Sequence, residues 1–234
     1  MLEPFLVTDG QLGLHWNALA KELGRVLDAS QGVFELKPEA VDLSTIAHIA
    51  GRAVRRANRL MGEPVPVAPL AVLQRGWEAW LGYREVWSKS EARKLAFASA
   101  DLTIFLTPVG AESFQQVLRA EWSGPANVGG DCVFRPSNAG HPHWQIDLGE
   151  LIREDQELAA ARDLLRQTGV RDFGEFDANP TADPPWYRLG RMHFASAMRP
   201  WSDASIAHPP TDLSAVRNWV INTSSLLKEE LARL

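Results

Sequence analysis

Residues 138–150 read NAGHPHWQIDLGE, with His141 and His143 two apart and Asp147 four further on. In a strand, alternate side chains point to opposite faces, so His141, His143, Gln145 and Asp147 share one face. Trp144, Ile146 and Leu148 share the other, which reads as core. Imidazole titrates near neutrality, which suits it to moving protons. His143 and His193 are therefore candidate acid and base for phosphoester cleavage. A divalent metal is the other option. His141, His143 and His193, with Asp147 or Glu121, would supply it with ligands of the kind catalytic zinc takes.

The same parity count extends to other segments. In 190–199, Met192, Phe194 and Met198 oppose Arg191, His193 and Arg199. In 114–122, Phe114, Leu118 and Trp122 go with the core while Arg119 and Glu121 point away. Arg135 lies on the short strand 131–136. If these strands share one sheet, its polar face gathers three histidines with Arg119, Arg135, Arg191 and Arg199. Guanidinium groups are planar forks suited to carboxylate or phosphate. The face is then a solvated sheet surface, an anion-binding surface, or a catalytic one.

A second basic cluster falls in 42–61. Ile46, Ile49, Ala53, Val54, Ala57 and Leu60 fit a helical stripe, with Asp42 or Ser44 to cap it and Gly62 to end it. On that helix Arg52, Arg55, Arg56 and Arg59 form a ridge at i, i+3, i+4 and i+7. Four like charges within two turns repel, which favours an acidic partner or a phosphate backbone.

The elements that must position these groups are α+β in class. Helices are predicted over 14–28, 42–61 and 70–87, the last through Leu70, Leu73, Trp77, Trp80 and Leu81. GEPVPVAP, with three alternating prolines, reads as an extended linker over 63–69. It divides a helical N-terminal region, 1–62, from an antiparallel domain, 70–234. From about residue 93 the period becomes two, and short closely spaced strands must pair antiparallel. Residues 149–167 return to helix, and TDLSAVRNWVINTSSLLKEELARL is a long C-terminal helix capped by Thr211 or Asp212. The expected architecture is a helical N-terminal region, then an antiparallel sheet with helices packed on one face.

The bulk numbers bound the function. The chain has 234 residues and a net charge of −5, so as a whole it is no basic nucleic-acid binder. Arginine richness hints at a bacterial source. One cysteine, Cys132, excludes an internal disulfide, and MLEPFLVTDG lacks the pattern of a secretory leader. With no long apolar run, the expectation is a cytoplasmic protein without membrane contact. Nine tryptophans build either a bulky core or an interaction surface. No P-loop, G-x-G-x-x-G, C-x-x-C, G-x-S-x-G or H-E-x-x-H is present. The expected function is an accessory, non-catalytic subunit of an assembly, with arginine-rich surfaces that bind another protein or a nucleic acid. The alternative is the histidine-dependent phosphoester hydrolase, with or without a metal.

Overall fold

The computed structural model describes residues 5–27, 34–60, 63–91, 93–124, 142–146 and 210–233. The chain enters through a two-residue strand, β1 (Leu6–Val7), and turns into helix α1 (Asp9–Val26). Thr8 starts α1. Its hydroxyl accepts the Gln11 N–H, and the Gln11 side chain accepts the Thr8 N–H at 2.9 Å. These bonds satisfy two donors that a helix start leaves open. Leu12, His15, Trp16, Leu19 and Leu23 lie on the buried stripe at helical spacing.

Eight further strands follow: β2 (Phe34–Val41), β3 (Ser44–Gly51), β4 (Arg55–Ala57), β5 (Val65–Val72), β6 (Trp77–Glu91), β7 (Lys94–Pro108), β8 (Gln115–Ser123) and β9 (His143–Ile146). All join one antiparallel sheet of order β2-β3-β6-β7-β8-β9. The 15-residue strands β6 and β7 are its spine, paired from Trp77↔Pro108 to Glu91↔Lys94. Along one side of β6, β3 pairs with residues 84–88 and β5 with residues 78–82. Helix α2 (Leu213–Leu231) closes the described chain, and the Asp212 side chain accepts the Ala215 N–H at 2.8 Å to cap it.

This is a sheet-dominated half-barrel with two helices among the described residues, which corrects the expected fold class. The helix expected over 42–61 is a hairpin and a short strand. Asp42 adopts φ 51° in the two-residue turn between Val41 and Ser44. β-Branched Thr45, Ile46 and Ile49 suit the pleated surface that follows. The helix expected over 70–87 is also strand. It is broken by a 3-10 turn, Gln74–Gly76, whose Gly76 has φ 77°. Residues 65–69, expected as linker, lie in β5. Pro66 stands opposite Arg56 of the short β4, and Pro69 sits where the β5–β6 register shifts. Edges and bulges are where a sheet tolerates a residue without an N–H. The strands expected over 94–107 and 114–122, and the C-terminal helix, correspond to β7, β8 and α2. The helix expected over 149–167 and the strands over 131–136 and 190–199 lie outside the described residues.

One large core joins α1 and α2 to the sheet: Leu12, Leu19, Leu23, Ile49, Leu70, Leu81, Trp87, Leu102, Leu118, Val220 and Leu227 all belong to it. A smaller apolar cluster sits elsewhere on the sheet, where Ala57, Val65, Val67, Trp80 and Phe105 meet, with Phe114 packed against them. Every tryptophan among the described residues is buried or half-buried, so these rings fill core rather than display a surface.

Two glycines of opposite character test this packing. A Cβ on Gly124 would lie 2.5 Å from the Phe97 carbonyl oxygen and 2.7 Å from Phe97 Cδ1. Gly124→Ala should therefore cost about 1–3 kcal/mol. Gly13, inside α1, has nothing within 4 Å of that position. Gly13→Ala should stabilise by about 0.5–1 kcal/mol through helix propensity. Urea unfolding of the two variants should move the midpoint in opposite directions.

Candidate functional site

Strand β6 carries a different polar construction on each of its faces. On the core side, Tyr83, Glu85 and Trp87 alternate inward, and Glu85 is fully buried. Both of its oxygens are occupied. Trp16 Nε1 donates to Oε1 at 2.9 Å, and Trp87 Nε1 donates to the same oxygen. His15 Nε2 lies 3.1 Å from Oε2, and the Tyr83 hydroxyl donates to it as well. The carboxylate has nothing to donate, so the bond to His15 requires the hydrogen on Nε2.

Burial pushes the Glu85 carboxyl upward. The hydrogen bond and charge of His15, with hydrogen bonds from Tyr83 and Trp87, outweigh that and hold it below the usual carboxylate range. Burial, followed by the Glu85 charge, pushes the Tyr83 hydroxyl far above its ordinary value, which keeps it a donor. The cluster joins α1, through His15 and Trp16, to β6. It is an internal tie rather than an opening to solvent.

The outer face of the sheet is built differently. Reading straight across the strands, the register runs Lys37↔His48↔Arg84↔Asp101↔Glu121↔His143. Directly paired residues share a face, so ionisable residues of β2, β3, β6, β7 and β8 form one transverse row, with His143 of β9 next in the register. Near its middle, Arg59 reaches in from beyond β4 to place Nη2 3.3 Å from Asp101 Oδ1, and Arg84 Nη1 stands 4.0 Å from Oδ2. Burial pushes the Asp101 carboxyl up. The charges of Arg59 and Arg84 oppose this without cancelling it, so it stays above its usual value. Arg119, one step along β8, pairs with Glu121 at 3.0 Å.

At the other end of the row the groups are less committed. Lys37 and Arg56 are exposed and make no ion pair among the described residues. Half-buried His48 lies between Lys37 and Arg84 in the register. Burial lowers its pKa. Glu39 opposes the shift, while Lys37 and Arg56 add to it. Strand spacing of about 4.8 Å puts Lys37 and Arg84 about 10 Å apart.

The ridge expected from Arg52, Arg55, Arg56 and Arg59 does not form, because those residues are not on a helix. Arg55 lies over the Trp80 ring at 4.9 Å and donates to the Ala111 carbonyl at 3.3 Å. Arg59 is turned inward onto Asp101. Arg52 and Arg56 remain exposed. Of the face expected to gather histidines and arginines, Arg119 and Glu121 share β8, and His143 stands opposite Glu121. His141, Asp147, Arg135, Arg191, His193 and Arg199 lie outside the described residues. Among the described residues no group of three His, Cys, Asp or Glu is placed to hold a metal ion.

Parity counting within single strands missed Lys37, His48, Arg84 and Asp101, because the row crosses strands. It also missed Glu85, although a lone carboxylate between Tyr83 and Trp87 at period two was a readable sign of a buried ion. No family model, curated protein or solved structure matches this chain. No described helix is long and apolar enough to cross a membrane.

The Glu85 tie makes a prediction about stability. Its folded pKa is depressed, so its contribution is present above the unfolded value of about 4.3 and lost as pH falls through the folded one. Glu85→Leu, which strands buried donors from four side chains, should cost about 3–5 kcal/mol at neutral pH. Urea midpoints recorded from neutral pH to below pH 4 should show an acid-sensitive component in the parent chain that the variant lacks.

Proposed function

We propose that this chain is a non-catalytic binding subunit that captures an acidic segment of a partner protein. The contact surface is the basic end of the outer sheet row, Lys37 and Arg84 flanking His48, with Arg56 of β4 close by. The observation that carries this reading is the register Lys37↔His48↔Arg84, with Arg56 close enough to act on His48.

Scale and charge favour an acidic peptide over a nucleic acid. A span of about 10 Å matches a few carboxylates on an extended segment. A phosphodiester track needs a longer basic stripe, and the chain's net charge of −5 works against a polyanion beyond the local patch. Glu39, Asp101 and Glu121 interrupt the cationic groups along the same face, which again suits spaced carboxylates better than continuous phosphate.

Fluorescence anisotropy with a labelled peptide of alternating Asp and Gly tests the reading at low ionic strength. The parent chain should capture it, and capture should weaken as salt rises. Replacing Lys37, Arg56 and Arg84 together with Gln should weaken capture at least about tenfold, as expected for the loss of several charge-assisted contacts. Arg25→Glu, on α1, should leave it unchanged. A labelled single strand of DNA serves as the competing probe. Tighter binding of DNA, or peptide capture indifferent to the triple replacement, overturns the proposal.

A further inference from the structure

We infer that His48 makes this surface proton-responsive, so that it holds an acidic segment more tightly as pH falls. The inference rests on the binding reading above and adds a regulator to the same site.

The geometry singles out this imidazole. His48 occupies the β3 position of the transverse row, directly between Lys37 of β2 and Arg84 of β6. Four charged groups face it from the packed elements. Lys37 and Glu39 come from β2, Arg84 from β6 and Arg56 from β4. Three are cations, and the one anion, Glu39, is two residues along β2 from Lys37.

In the free protein a proton on His48 would be half-buried beside three permanent cations. Burial disfavours it most, and Lys37 and Arg56 add to that against the opposing pull of Glu39, which leaves its pKa lowered. An incoming carboxylate changes that balance. It screens Lys37, Arg56 and Arg84 from the ring and gives the imidazolium a second counter-ion beside Glu39. The bound state therefore favours the proton that the free state rejects.

Linkage requires the converse. If the segment raises the proton affinity of His48, protonation of His48 raises the affinity for the segment by the same factor. One added charge at a partly exposed site should strengthen capture about three- to fivefold. Around neutrality the surface is in its weaker state, and acidification moves it to the stronger one.

The experiment uses the full chain and the Asp-Gly peptide at constant ionic strength, at about pH 5 and about pH 7.5, where Asp stays ionised. Titration calorimetry in two buffers of different ionisation enthalpy also measures proton uptake on binding. The parent chain should bind about three- to fivefold more tightly at the lower pH, and binding should be accompanied by uptake of a fraction of a proton between the two pH values. His48→Gln should bind with no pH trend and no uptake. His48→Lys should hold the surface in its tight state at both pH values, which separates a charge effect from loss of the ring. Thermal melting confirms that each variant is folded at both pH values. If the parent chain fails to capture the peptide at either pH, the binding reading itself falls. If it captures the peptide equally at both, or His48→Gln keeps the trend and the uptake, the binding reading stands and the role of His48 is overturned.

Discussion

A carboxylate with no access to water is the constraint on which this fold turns. Isolated in a low-dielectric interior, the Glu85 anion would be costly enough to neutralise itself. It stays ionised because four donors converge on its two oxygens: two indoles, a phenol and an imidazole. Two come from α1 and two from β6 itself. An apolar contact would let α1 slide by part of a turn at little cost. Four directed bonds to one group do not, because each displacement leaves a buried donor or acceptor unmatched. The helix position and the inward face of β6 are therefore fixed by the same interaction.

That constraint reaches the outer surface through parity. Glu85 and Arg84 are neighbours in the chain, so they project to opposite faces of β6. A one-residue slip of the strand would send Arg84 into the core and Glu85 out to solvent. The large core already selects the register through Leu81 and Trp87, and the Glu85 bonds sharpen the choice. With β6 fixed, its pairings with β3 and β7 place His48 and Asp101 on either side of Arg84. The outer row is a consequence of what is buried beneath it.

How much of this was legible in the sequence depended on whether the information was local. α1 and α2 announce themselves through an apolar stripe and a capping residue, both contained in a few turns, as at Leu19, Leu23 and Asp212. β7 and β8 announce themselves by alternation, and the parity of Arg119 and Glu121 could be counted within one strand. Residues 42–61 misled because Ile46, Ile49, Ala53, Val54, Ala57 and Leu60 satisfy a helical count, whereas pairing with β2 and β6 decides the outcome. The turn at Asp42–Leu43 held the missing clue: a two-residue turn there sets Lys37 opposite His48. Nothing local sets Arg84 opposite Asp101, since that register depends on the irregularities of the long β6–β7 pair. The outer row was hidden for that reason, although each of its residues was in plain view.

Glu85 and Asp101 are both buried carboxylates close to the same strand, yet their pKa values move in opposite directions. The difference lies in what surrounds each. Glu85 accepts from donors on all sides, so its charge is matched where it sits. Asp101 relies on guanidinium groups at 3.3 Å and 4.0 Å, and the more distant one, Arg84, is the more exposed of the two. Burial therefore wins at Asp101, and its hold on Arg84 is loose. A loosely held guanidinium beside an exposed lysine can turn part of its fork toward an external carboxylate while Arg59 keeps Asp101 paired. The inner ion is stiff and belongs to the scaffold. The outer one is shared between two guanidinium groups, and that sharing leaves the Arg84 fork only partly committed to it.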